Sequence, residues 1–393
     1  MRVLCFGRFY DEIPGGMQRH VEHLFAALRS EVDFVHLVPS RNRHSGRTLL
    51  HGFPVLRAGS LNLDGSLAIA PTLPLIARQL HRERPFDAIH LHFPDPMSHL
   101  ASMVLPRAIP RIISWHADIV RHKLLMLPYR ALLERAVRSA DSIIVATPSH
   151  VASSPILKKH AAESKIHVVP YGFDLTHLVR PHPLAAELRR QHPGIMILAV
   201  GRHVSYKGFD VLIRAMPAVD PAARLVIVGT GPLTEAWKSL AATLGLQERI
   251  TFAGLVGDED LPAYYQACDL FCLPSLTRAE AFGIVQIEAM ACAKPVVSTR
   301  LGTGVDFVNV DGTTGFTVEP GDAHCLSDAL NRLVRDEALR LSFGEAAKRR
   351  AETEFSLQTM GERTLALYRE AVAAHRPPHH PTSILQPPVS KAP

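Results

Sequence analysis

Aromatic residues make up only 6% of the 393-residue chain, and its basic residues are scattered rather than clustered. A stacking platform of the kind that holds single-stranded nucleic acid is therefore missing, and no nucleic-acid partner is expected. Long apolar runs are missing too: none approaches the ~20 residues of a membrane-spanning helix. The opening MRVLCFGRFYDEIPGG turns polar after a handful of apolar residues, without the apolar core of a signal peptide, so the expected location is the cytoplasm. Cysteine is scarce and odd in number. Cys5, Cys268, Cys272, Cys292 and Cys325 mostly sit in apolar segments, as buried free thiols do, which argues against disulfides and against a thiolate zinc site. A hydrophobic content of 47% with 20% charged residues excludes a mainly disordered chain. The net charge of +6 suits a polyanion, an anionic membrane surface or a phosphate-bearing ligand, and does not choose among them.

The length exceeds the roughly 100–200 residues of one domain, so two cores are expected. RVLCF (2–6), VDFVHLV (32–38), DAIHLH (87–92), RIISW (111–115), SIIVA (142–146) and IHVVP (166–170) read as buried strands. Between the first two, Val21, Leu24, Phe25 and Leu28 mark one face of a helix. A second series runs IMILAVG (195–201), RLVIVG (224–229), RITFAG (249–254), DLFCLP (269–274) and PVVST (295–299), with Phe209, Leu212, Ile213 and Met216 on a helical face after its first strand. The expectation is an α/β protein of two Rossmann-like, doubly wound domains facing a central cleft, with ligands beyond the carboxyl ends of the strands. The first domain spans 1–175 and the second 195–356. A proline-bearing linker, 176–194, joins them. A helix at 357–375 is expected to return to the first domain, and 376–393 is a proline-rich tail with too little core to fold.

The loops at the strand ends carry the chemistry. IPGGMQRHVEHL puts Gly15 and Gly16 between the first strand and its helix, where backbone can approach a ligand and helix amides are free, although a loop needing glycine's φ freedom reads the same way. AVGRHVSYKGFDVL is more specific. Arg202 can fork two phosphate oxygens while Lys207 adds a mobile point charge, so two cations close on one diphosphate; either residue alone would suit a solvated basic loop. RAEAFGIVQIEAMACAKP (278–295) places Glu280 and Glu288 in an otherwise apolar stretch. Ile284, Ile287 and Met290 begin a helical face, which puts the helix start near Phe282 and its amides toward the cleft. A carboxylate suits vicinal hydroxyls, so two of them at one ligand suggest a sugar and a ribose, both present in a nucleotide sugar.

Taken together, these motifs resemble the retaining glycosyltransferases of family 4, which have the GT-B fold. The resemblance covers roughly 1–374 and rests on Gly15-Gly16, the G-R-x4-K of Arg202 and Lys207, VIVGTGP (226–232) and the E-x7-E of Glu280 and Glu288. It implies that Arg202 and Lys207 hold the donor diphosphate, that Glu280 meets the transferred sugar and Glu288 the ribose, and that backbone at Phe282, Gly283 and Ile284 faces sugar and phosphate. It also implies that Gly15, Gly16, Gly229 and Gly231 line the donor site, that Leu255 and Val256 lie by the base, and that His116, in ISWHAD, reaches the donor sugar near the reacting carbon. His116, Glu280, Arg202 and Lys207 are thus the implied catalytic set. SWHADIVRHK and LGTGVDFVNVDGTTGF further resemble bacterial mannosyl- and rhamnosyltransferases of O-antigen and polysaccharide assembly, which implies a GDP-linked sugar and a glycan or polyprenyl-diphosphate-linked acceptor. Many members have G-G-x-x-E where this chain reads Gly302-Thr303-Gly304-Val305-Asp306, a departure that weakens any role for Asp306.

Several features have plainer readings. With 22 histidines in the chain, His116 by itself would be an ordinary polar residue. His90 and His92 share a strand face, but spacing supplies no third ligand, and neither a metal nor another cofactor is expected. Asp258-Glu259-Asp260 reads as a helix start. RHKLLMLPYRALLERAVR (121–138) interleaves Arg121, Lys123, Arg130, Arg135 and Arg138 with leucines, which suits either contact with an anionic membrane or an ordinary helix packed on its sheet. A UDP-sugar-dependent transferase, a nucleotide-sugar epimerase and a non-catalytic nucleotide-sugar binder stay open as alternatives. If Glu280 and Lys207 hold the donor, Glu280→Ala and Lys207→Ala should each lower transfer roughly a hundredfold or more in a labelled-donor assay, and intact transfer in both variants would refute the site assignment.

Overall fold

The structure, a computed structural model, describes residues 1–7, 16–50, 52–63, 67–118 and 123–375. Gly15, Arg121 and the tail 376–393 lie outside the described residues. The first domain begins with β1 (Arg2–Phe6), β2 (Asp33–Pro39), β3 (Gly46–Leu50) and β4 (Phe53–Ala58). A separate antiparallel pair, β5 (Leu61–Leu63) and β6 (Leu67–Ile69), follows. β7 (Ala88–Phe93), β8 (Arg111–Trp115), β9 (Ser142–Val145) and β10 (Ile166–Val168) complete the sheet, whose order is β10-β9-β8-β7-β1-β2-β4-β3. Only β3 runs antiparallel within it. Helices cover both faces of the parallel strands, which explains why β1, β7 and β9 are buried continuously rather than at alternate positions.

The β3–β4 hairpin was not expected. Its exposed Leu49 and the proline at position 54 hide it from a search for apolar runs, since a sheet edge tolerates both.

The second sheet consists of β11 (Ile195–Val200), β12 (Ala223–Val228), β13 (Ile250–Gly254), β14 (Leu270–Leu273), β15 (Val296–Thr299) and β16 (Gly315–Val318). Its order, β13-β12-β11-β14-β15-β16, is all parallel and reverses direction between β11 and β14. A doubly wound sheet opens its crevice at that reversal, because the connections on either side leave toward opposite faces. The same reversal occurs in the first sheet between β1 and β7. Two crevices are thereby set at strand ends.

The last helix, Leu357–His375, leaves the second domain and packs on the first. Met360, Leu365, Leu367, Tyr368 and Ala371 share a buried cluster with Val3, Val21, Leu24 and Phe34. Its anchor is polar: the Tyr368 hydroxyl lies 2.6 Å from His90 Nδ1, and His90 Nε2 lies 2.8 Å from Ser114 Oγ, with Tyr368 and His90 both fully buried. No helix among the described residues is long and apolar enough to cross a membrane. Tyr368→Phe should lower stability by roughly 1–3 kcal/mol, the cost of stranding a buried ring nitrogen, read from the first urea unfolding transition of the full chain; an unchanged midpoint would show that the hydroxyl anchors nothing.

Candidate functional site

The loops that leave β11 and β14 meet at the reversal of the second sheet. Lys207, at the end of the first loop, and Glu280, in the second, are joined by a 2.6 Å bond from Nζ to Oε2, with side chains only 10% and 11% exposed. Ser275 Oγ donates to the same oxygen at 3.0 Å, and Thr303 Oγ1 donates to the Glu280 carbonyl at 2.9 Å. A buried ion pair is costly to desolvate, and it persists only when hydrogen bonds such as these complete it. One ammonium hydrogen goes to Glu280. Two others and the second carboxylate oxygen stand outside the pair, so the same two residues can meet a phosphate and a hydroxyl together. Arg202, five residues before Lys207, is exposed at the end of β11.

The helix expected from Phe282 starts two residues later, at Ile284, and runs to Ala291. Gly283 precedes it with φ +70°, and a Cβ there would stand 2.6 Å from Gln286 Nε2 and 2.9 Å from Leu273 Cδ2, so only glycine allows the turn that aims the helix amides. Phe282 is buried against Tyr171, with ring centroids 5.2 Å apart, while Ile284 is 43% exposed. Glu288, about one turn into the helix, accepts a 2.6 Å bond from the Tyr265 hydroxyl of the helix Leu261–Ala267. The two carboxylates thus take different neighbours: Glu280 pairs across the sheet reversal, and Glu288 is held from the adjacent helix.

Gly229 and Gly231 follow β12 and press against the loop after β11. Added Cβ atoms would lie 2.0 Å from the Gly201 carbonyl oxygen and 2.5 Å from that of His203, so close backbone approach accounts for both glycines. Leu255, 83% exposed, and half-buried Val256 follow β13 at the same sheet end. Gly16 begins the helix Gly16–Leu28 of the first domain, and an added Cβ there would meet no described atom within 4 Å.

His116 follows β8, its N–H bonded to the Phe93 carbonyl oxygen at 3.0 Å. Its Nε2 lies 3.0 Å from His92 Nδ1 and its Nδ1 lies 3.1 Å from the Tyr171 hydroxyl. Both ring nitrogens are therefore engaged within the protein, which bears directly on the expectation that His116 itself reaches a sugar. Burial drives His116 and His92 well below the usual histidine range, so both are neutral.

Topology also brings the third ligands that sequence spacing around His90 and His92 did not. Cys5, His90 and His92 form one cluster, and His20, His92 and His116 form another, with candidate ligand atoms within 4.8 Å. The donor chemistry fits a metal poorly. His90 spends both nitrogens on Tyr368 and Ser114, His92 and His116 bond to each other, and burial holds the Cys5 thiol protonated.

Sequence reading missed Ser275, Thr303 and Tyr171, whose only signal is a place just after a strand or beside a glycine, and Tyr265, which sits inside a helix with no such signal. Asp306 accepts from the amides of Leu301 and Gly302 at 2.9 and 2.7 Å, a loop brace. Asp258, Glu259 and Asp260 are exposed ahead of the helix Leu261–Ala267. The basic segment forms the helix Lys123–Ser139, where Tyr129, Leu133 and Val137 join the first domain's core and Arg130, Arg135 and Arg138 face out.

Comparison with known proteins finds two family models end to end: Glycosyltransferase Family 4 over residues 14–177 and Glycosyl transferases group 1 over residues 184–350. The O-antigen chain mannosyltransferase C of Escherichia coli is 34% identical over 72% of this chain and 75% of its own length. The D-rhamnosyltransferase WbpZ of Pseudomonas aeruginosa is 32% identical over 91% of this chain and 92% of its own. Among solved structures, HepE of Anabaena in complex with UDP superposes with a TM-score of 0.73 at 20% identity, covering 94% of this chain and 100% of that one, a likeness of fold.

Burial raises the Glu288 carboxyl above the ordinary carboxylate range, and the Tyr265 hydrogen bond offsets part of that. The folded protein therefore binds this proton more tightly than the unfolded chain, so the stability tied to it is full at low pH and is lost as pH rises through the raised pKa. Glu288→Gln, which keeps an oxygen for Tyr265, should be more thermostable than the parent at pH 7, with the advantage shrinking as pH falls toward about 4. A thermal unfolding series across that range checks it, and a loss of stability equal at every pH would contradict the buried-charge account.

Proposed function

The chain belongs to glycosyltransferase family 4, and on that premise we propose that it transfers a mannosyl or rhamnosyl unit, with retention, from a GDP-linked donor to a glycan or polyprenyl-diphosphate-linked acceptor in surface polysaccharide synthesis. The observation that carries the reading is the Lys207–Glu280 pair at the sheet reversal, set beside the exposed Arg202 and the N-terminus of the helix Ile284–Ala291. Donor sugar and linkage group follow the relatives, which are a mannosyltransferase of O-antigen chains and a D-rhamnosyltransferase.

In this proposal Glu280 binds hydroxyls of the transferred sugar and Glu288 those of the ribose, while Leu255 and Val256 flank the base. The bond between the anomeric carbon and the β-phosphate oxygen breaks as the acceptor oxygen bonds to the same face, and the acceptor's proton passes to the leaving phosphate. Charge therefore grows on the diphosphate, where Arg202, Lys207 and the helix amides stabilise it. No protein nucleophile, metal or other cofactor is called on.

Work at the inner face of a membrane would bring the protein to a lipid-linked acceptor. From Tyr129 onward the apolar side chains of the helix Lys123–Ser139 belong to the core, so attraction to anionic lipid would rest on Arg130, Arg135 and Arg138.

Incubation of the full chain with sugar-labelled GDP-mannose and a polyprenyl-diphosphate-linked glycan tests the proposal. Label should move into the lipid fraction, and a UDP-linked hexose should serve at least about tenfold less well. Label rearranged within the nucleotide sugar would mark an epimerase, label left in place a binder, and preference for the UDP donor would overturn the GDP assignment.

A further inference from the structure

The His92–His116 contact has a geometry that decides its chemistry. The two rings are nearly coplanar, at 11°, and their centroids stand 5.3 Å apart while the nitrogens stand 3.0 Å apart. The difference is about two ring radii, so the nitrogens point straight at each other along one line. A shared proton wants that line, whereas two metal ligands would aim their lone pairs at a common third point.

Counting protons then fixes the direction. If His116 Nε2–H donated, neutral His92 would carry its proton on Nε2, a buried atom that has no partner among the described residues. If His92 Nδ1–H donates, Nε2 keeps only a lone pair and no N–H is orphaned, which is the less costly arrangement. His116 must then carry its proton on Nδ1, facing the Tyr171 oxygen at 3.1 Å. The Tyr171 hydroxyl accepts that bond and retains its own hydrogen, since burial pushes its pKa up to about 12. His20 packs edge-on against Tyr171 and His116 at 5.0 and 5.2 Å and, with its pKa pushed down to about 3, adds no charge.

Tyr171 is only half-buried, and its ring lies 5.2 Å from that of Phe282, between Glu280 and Gly283. We propose that His92, His116 and Tyr171 form a directed hydrogen-bond chain whose last hydrogen, on the Tyr171 hydroxyl, binds an oxygen of the transferred sugar in the donor. His92 and His116 are positioning residues that act through Tyr171. The identity of the donor rests on the function proposed above; the direction of the chain does not.

The tautomer of His116 is the direct readout. Two-bond proton–nitrogen correlation on the full chain labelled with 15N-histidine, with the His116 signals assigned by their loss in His116→Gln, should show Nδ1 protonated. His92→Asn, whose amide supplies a donor in place of Nδ1–H, should preserve that tautomer. Nε2 protonated in the parent protein would overturn the chain, as would one equivalent of zinc on the isolated protein that His92→Leu removes. In the second arm, Tyr171→Phe keeps the ring on Phe282 and should lower kcat/KM for GDP-mannose on the order of tenfold while leaving the affinity for GDP, which lacks the sugar, unchanged. An equal loss of GDP affinity would make Tyr171 a structural residue. A parent protein that does not turn over GDP-mannose would overturn the donor reading, and the tautomer would still decide the chain.

Discussion

The Lys207–Glu280 ion pair is the constraint on which the arrangement of the second domain's site depends. Two charges only 10% and 11% exposed carry a desolvation cost that their attraction roughly offsets, so the pair is not there for stability. Its position explains it better. The pair ties the loop after β11 to the loop after β14, the two connections that part at the reversal of the sheet. Around it the backbone leaves no slack: a Cβ on Gly208 would stand 2.0 Å from the Pro274 carbonyl oxygen, and Ser275 and Thr303 hold Glu280 by side chain and by backbone. Lys207 is therefore a cation fixed in place before any anion arrives, as the proposed stabilisation of a leaving diphosphate without reorganisation requires.

The first domain meets the cleft in the opposite way. His92 and His116 at its strand ends and His20 on the helix Gly16–Leu28 are kept neutral by burial, and polarity is passed along by hydrogen bonds rather than by net charge. A charged wall on one side and a neutral, oriented one on the other suit a donor whose diphosphate must be gripped and whose sugar must be presented. The contrast follows from topology. β7 is central and covered on both faces, so a charge at His92 would be stranded, whereas the loops after β11 and β14 extend beyond their sheet.

Most of this fold was legible in the sequence because parallel strands covered on both faces tend to be near-continuous apolar runs, as β11 is throughout and β1 is from Val3 to Phe6. The β3–β4 hairpin was not, because an edge strand buries one face at most and carries no such run. The site divides along a similar line. Lys207 and Glu280 could be singled out as charges beside strand ends, yet they lie 73 positions apart, and only the closed sheet shows that they grip each other. The helical face of Ile284, Ile287 and Met290 points to a start near Phe282. Gly283, with φ +70°, breaks the helix there and moves the first turn to Ile284. The third members of the clusters around His90 and His92, Cys5, His20 and His116, come from other elements, which spacing along the chain does not reveal.

The crossing between the domains keeps the two walls in register. The chain passes twice, at Tyr171–Phe173 and again near Phe355, and the passages are bonded to each other: Phe173 N–H to the Phe355 carbonyl oxygen at 2.8 Å, and Leu357 N–H to that of Phe173 at 3.2 Å. Phe282 packs against Tyr171, Phe173 and Phe355 at centroid distances of 5.2, 6.4 and 6.1 Å. A single linker would let the domains drift independently, but a paired crossing makes any relative motion turn about this aromatic cluster. Phe282 sits two residues from Glu280 and next to Gly283, and Tyr171 bonds to His116. A rotation that opened or closed the cleft would thus move the loop that carries Glu280 and the histidine wall together, with the pivot placed beside the site rather than remote from it.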